Sequence, residues 1–138
     1  MNSGNKNKSN VTYFRKRQPA ILVVEHQVLT RTSICESLRE WGFKVYEAAT
    51  ADEAETLMHS GQISAGFVIV DLDLPGKGAG RALADRMRED FPEIVVLLAS
   101  SDQRKSTLAD RLGLHFIAKP YDMRKVLVII RGAIPRRR

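Results

Sequence analysis

A single cysteine, Cys35, stands in 138 residues, so no intrachain disulfide can hold this fold, and a reducing, cytoplasmic setting is expected. Cys35 itself reads as a small buried residue on a helix. No apolar run approaches the ~20 residues that a membrane span requires. The polar, basic N-terminus has none of the apolar core of a secretory signal. Acid is missing from both ends. Residues 1–18 carry Lys6, Lys8, Arg15, Lys16 and Arg17 without an Asp or Glu, and residues 131–138 carry Arg131, Arg136, Arg137 and Arg138. Subtracting those nine bases from 22 leaves 13 basic against 16 acidic residues over 19–130, a net of −3 hidden beneath the overall +6. The body is therefore mildly acidic. Its basic ends offer no reading helix, and are read as solvated, disordered tails and not as nucleic-acid contacts.

What remains is ordinary for a globular protein, 43% hydrophobic and 28% charged, and large enough for one core. Residues 1–18 form a disordered arm in which Val11, Tyr13 and Phe14 could dock locally; 19–134 form one domain; 135–138 are a basic tail. Ala20-Ile21-Leu22-Val23-Val24, Phe67-Val68-Ile69-Val70 and Ile94-Val95-Val96-Leu97-Leu98-Ala99 are continuous apolar runs, the pattern of strands buried on both faces. Shorter strands fall at Lys44–Ala48 and Phe116–Ala118. Between them lie helices. Val28, Leu29, Thr32, Cys35, Leu38 and Trp41 recur at helical spacing before Gly42, and Thr50 with Glu53 makes a capping box. Leu83, Met87 and Phe91 point a further helix inward, residues 102–114 hold only a turn or two, and Asp122 caps a last helix bearing Val126, Ile129, Ile130 and Ala133. Strands alternating with helices five times predict an α/β fold, a doubly wound parallel sheet.

Four polar residues close four of these strands: Glu25, Asp71, Ser100 and Lys119. In a parallel sheet they share the carboxyl edge, where such folds bind ligands. Two neighbouring acids can hold a divalent cation through oxygen. A hydroxyl and an ammonium opposite them suit phosphoryl oxygens. The set describes phosphoryl transfer to a carboxylate.

At these residues the chain resembles the receiver domain of bacterial two-component response regulators, over roughly 20–134. The phrases that carry the resemblance are Leu22-Val23-Val24-Glu25, Tyr46 through Ala54, Val70-Asp71-Leu72-Asp73-Leu74-Pro75-Gly76, and Lys119-Pro120-Tyr121. It implies a flavodoxin-like sheet of strand order 2-1-3-4-5. Asp71 would accept a phosphoryl group from a sensor histidine kinase or phosphotransfer protein, with Mg2+ held by Glu25, Asp71 and Asp73, the last through its backbone carbonyl or side chain. Ser100 would be the switch hydroxyl, Phe116 the aromatic that rotates with it, and Lys119 the ammonium paired to the phosphate. Pro120 would follow a cis peptide bond. The last strand and helix would be the homodimer face, and the signal would pass to a downstream protein partner.

The departures are specific. Where the family has two consecutive acids this chain has Glu25 and then His26, and neutral imidazole is a poor magnesium ligand. Glu25 could reach the ion itself, Asp73 could add a carboxylate, or His26 could swing away and leave water. Gly78 and Ala79 replace the usual pair after Pro-Gly, so a positive φ at Ala79 would cost roughly 1 kcal/mol or pass to Gly78 or Gly80. Ser100 to Lys119 is short, which trims the fourth helix.

Three readings follow. The first is a phosphorylatable, single-domain receiver that is not itself an enzyme. The second is a pseudo-receiver, its magnesium site impaired by His26, serving as a phosphorylation-independent interaction module. The third takes Asp71-Leu72-Asp73 as the first motif of a haloacid-dehalogenase-like phosphatase, against which stand the missing Gly-Thr and the absence of a cap domain.

Overall fold

The computed structural model describes residues 19–134; the expectations for residues 1–18 and 135–138 lie outside the described residues. In chain order the elements are β1 (Ala20–Val24), α1 (Val28–Glu40), β2 (Val45–Ala48), α2 (Ala51–His59), β3 (Ala65–Asp71), α3 (Ala79–Asp90), β4 (Val95–Ser100), a 3-10 turn (Gln103–Lys105), α4 (Ser106–Leu112), β5 (His115–Ala118) and α5 (Met123–Ala133). All four strand pairings are parallel and the order is β2-β1-β3-β4-β5. The winding reverses between β1 and β3, and a crevice opens at their carboxyl ends.

The apolar runs explain this layering. Successive strand side chains point to opposite faces. Ile21, Val23, Phe67, Ile69 and Leu97 meet Ile34 and Leu38 of α1 and Val126 and Ile130 of α5. Leu22, Val24, Val68, Val70 and Leu98 meet Met58 of α2, Leu83 and Met87 of α3 and Ala109 of α4. Thr50 accepts from the Glu53 amide at 3.1 Å, while Glu53 reaches back to the Ala49 amide at 2.9 Å, one residue earlier than in a strict capping box. Asp122 caps α5 through the Arg124 amide.

Two helix details differ from the sequence expectation. Val28, Leu29 and Trp41 are 62%, 84% and 50% exposed, and the buried side chains of α1 are Ile34, Cys35 and Leu38. The first turn of α1 lies beyond the core, and its Leu29 borders the crevice. At the β3–α3 connection the chain takes positive φ at Gly76 and Gly78, and Ala79 begins the helix unstrained. Gly80 is instead a packing glycine. A Cβ there would lie 2.4 Å from the Asp71 carbonyl oxygen and 2.8 Å from the Leu72 Cα. Helix α4 is indeed short, seven residues ending at Gly113 with φ 69°.

Candidate functional site

The strand ends bring the four predicted residues together. Glu25 and Ser100 are fully buried and Asp71 is 1% exposed. Glu25, Asp71 and Lys119 line a cleft of about 570 Å3 that also takes in His26, Leu29, Asp73 and Tyr121. Lys119 reaches into this acidic floor from the end of β5. Its Nζ lies 2.8 Å from Asp71 Oδ1, 3.1 Å from Glu25 Oε1 and 3.4 Å from Asp73 Oδ2. Three carboxylates thus share one ammonium. Burial alone would lower the Lys119 pKa; hydrogen bonds and charge from Asp71 and Glu25 outweigh it and raise the pKa.

Glu25 is held from two sides. Its carboxylate accepts from the Gln27 amide at 3.1 Å, and its carbonyl accepts from Arg31 Nη1 at 2.7 Å. Burial, and the nearby Asp71 carboxyl, push its pKa up against the pull of the Gln27 amide and Lys119. Asp71 Oδ1 accepts from the Asp73 amide at 2.8 Å, which fixes the carboxylate at the mouth of the strand.

Asp73 is the most heavily hydrogen-bonded acid. Its carboxylate accepts from the Ser100 hydroxyl at 2.8 Å, the Ser101 amide at 2.9 Å and the Ser101 hydroxyl at 3.0 Å. Lys105 Nζ adds a contact at 3.3 Å. Partial desolvation raises its pKa, but the Ser101 amide, the two hydroxyls and Lys119 together hold it well below the usual carboxylate range. The participation of Ser101 and Lys105 was not apparent from spacing, because it depends on Asp73 turning sideways toward β4.

The remaining candidates are placed more loosely. His26 is exposed on the rim. Phe116 is half-buried and packs on the α2–α3–α4 side of the sheet. The Lys119–Pro120 peptide is cis. The Tyr121 hydroxyl is buried without a hydrogen-bond partner among the described residues, and burial with the Glu25 and Asp71 charges pushes its pKa up.

Among the described residues no three His, Cys, Asp or Glu side chains stand ready as a metal cage. Magnesium does not demand one, since it commonly keeps its waters and takes one or two carboxylates. The paired buried carboxylates of Glu25 and Asp71 fit that chemistry as hard oxygen donors. His26 is exposed on the rim beside them, and its imidazole is a softer donor than magnesium prefers.

A parallel 2-1-3-4-5 sheet carrying two acids, a hydroxyl and an ammonium at its carboxyl edge defines a receiver-type signalling domain. The chain belongs to the response regulator receiver domain family, which it matches over residues 21–131. It is similar to the aerobic respiration control protein ArcA of Escherichia coli K12, 29% identical over 123 residues that cover 86% of this chain and 49% of ArcA. The chain spans about half the length of the curated relatives it matches. Among solved structures it resembles the receiver domain of NtrX from Brucella abortus, with a TM-score of 0.73, 27% identity, and coverage of 83% of this chain and 97% of that one. A receiver domain from Clostridium thermocellum shares the fold, with a TM-score of 0.75 at 23% identity over 84% of this chain and 94% of that one. No helix among the described residues is long and apolar enough to cross a membrane.

Proposed function

We propose that this domain accepts a phosphoryl group on Asp71 from a histidine kinase or phosphotransfer protein, and passes that state to a partner protein by contact. The observation that carries the reading is the buried Asp71 carboxylate at the end of β3, held at 2.8 Å by Lys119 with Ser100 buried on the neighbouring strand. An Asp71 carboxylate oxygen attacks phosphorus as the bond to the donor histidine nitrogen breaks, and the electron pair returns to the imidazole. Lys119 neutralises the incoming phosphoryl oxygens, and the Ser100 hydroxyl can donate to one of them. Glu25 and Asp71 would hold Mg2+, with Asp73 contributing its backbone carbonyl because its side chain is engaged by Ser100 and Ser101. The chemistry supplied by that ion when bound is neutralisation of charge on the phosphoryl oxygens. Membership of the receiver family favours signalling over phosphatase activity.

Incubation with a small phosphodonor and Mg2+ should give a single alkali-labile phosphoryl adduct by intact mass, absent in Asp71→Asn. If wild type and Asp71→Asn both stay unmodified, the phospho-acceptor reading fails, and the domain is a phosphorylation-independent interaction module.

A further inference from the structure

Asp73 is surrounded by the donor types that a phosphoryl group needs: a hydroxyl (Ser100), a main-chain amide (Ser101) and ammonium groups (Lys119 and Lys105). The network continues beyond the carboxylate. Ser100 Oγ donates to Asp73 and accepts from the Asp102 amide at 3.0 Å. The Asp102 carboxylate in turn accepts from the Arg104 amide at 3.0 Å and caps the 3-10 turn that leads into α4. The Ser100 carbonyl meanwhile accepts from the Lys119 amide at 2.9 Å, which ties the same strand end to β5.

We propose that Asp73 is a positioning residue acting as a built-in stand-in for a phosphoryl group, its carboxylate holding the β4 end and the turn before α4 through the donors that an anion on Asp71 would otherwise engage. Two requirements follow. The first is that loss of the Asp73 carboxylate frees the Ser101 amide. The second, which rests on the phospho-acceptor reading, is that an anion on Asp71 can take over the same donors.

The test uses amide hydrogen exchange followed by NMR on the full chain, free of phosphate. In Asp73→Ala the Ser101 amide should exchange about tenfold faster or more, as loss of a charge-assisted hydrogen bond implies, and the Asp102 amide should also speed up as its acceptor, Ser100 Oγ, loses its anchor on Asp73. Asp73→Asn, which keeps one acceptor oxygen, should fall between. Amides of β1 and β3 should be unchanged in both variants, which separates release of the β4 end from unfolding. Fluoroberyllate with Mg2+, its binding followed by the bound fluorine signal, should then restore Ser101 protection in Asp73→Ala. Unchanged Ser101 and Asp102 exchange in Asp73→Ala overturns the proposal. So does bound fluoroberyllate that leaves Ser101 unprotected. A missing fluorine signal in wild type and variant alike counts against Asp71 as acceptor, and the exchange rates alone then decide the role of Asp73.

Discussion

Glu25 and Asp73 sit on opposite sides of one cleft, both touch Lys119, and their pKa values move in opposite directions. Glu25 lies on the β1 side, fully buried, with one amide and a shared ammonium for company. Asp73 lies on the β4 side, its side chain 27% exposed, with two hydroxyls, an amide and two ammonium groups around it. Desolvation wins where donors are few and loses where they are many. The β1 side therefore stores an unfavourable charge, and the β4 side is already neutralised.

The most damaging way to break this balance is Lys119→Met. It would leave the buried Glu25 and Asp71 carboxylates without a cation, and should cost about 3–5 kcal/mol by urea denaturation at pH 7. The loss should shrink as pH falls, because the raised pKa of Glu25 lets it take up a proton before an ordinary carboxylate would. A cost that does not change with pH would mean that Glu25 is not the acid being compensated.

Next comes Gly80→Ala. Its Cβ would press on the main chain of Asp71 and Leu72, so α3 or the end of β3 must shift. We expect a loss of about 1–3 kcal/mol in thermal or denaturant unfolding, the range for overpacking. Resonances of the Asp71–Asp73 segment should move in the same variant.

A smaller effect should separate the two acids by sign. Asp73 has a depressed folded pKa, so its stabilisation is present above the ordinary carboxylate value of 3.8 and is lost as pH falls. Asp73→Asn should then be less stable than wild type at neutral pH by under about 1 kcal/mol, after allowance for solvent screening, and the gap should close below pH 4. Glu25 has a raised folded pKa, and its contribution runs the other way, with stability declining as pH rises above 4.5. Glu25→Gln should flatten that decline in the pH profile. Parallel profiles for the two variants would contradict the comparison.

The least effect on folding belongs to His26→Asp. His26 is exposed, so stability should stay within about 0.5 kcal/mol. Titration calorimetry with Mg2+ should nevertheless show tighter binding, since a third carboxylate then joins Glu25 and Asp71 at the site. Unchanged affinity would remove His26 as the reason for any weakness in the site.

The sheet was legible because Ala20–Val24, Phe67–Val70 and Val95–Ala99 are continuous apolar runs, and burial on both faces leaves a strand little alternative. The four strand-end residues were legible for the same reason, since each polar residue marks where a run stops. The first turn of α1 was not. Val28 and Leu29 fit a helical apolar period, but that period cannot say that the helix starts beyond the core. The role of Gly80 was not legible either, because it lies in the space a Cβ would need, 2.4 Å from a backbone atom nine positions earlier. The turn of Asp73 toward Ser100 depends on the direction of one side chain across β3 and β4, which residue spacing does not encode.

Lys119 also links the ends of the folding problem. It joins Glu25 across 94 positions and Asp71 across 48, the widest sequence separations among the hydrogen bonds at the site. Contacts of that range require most of the chain to be in place before they reward loop closure. The charge balance of the cleft is complete only when β5 is docked beside β4. Until then Glu25 and Asp71 lack their shared cation, so a chain stopped before β5 would carry two buried acids without the ammonium that balances them.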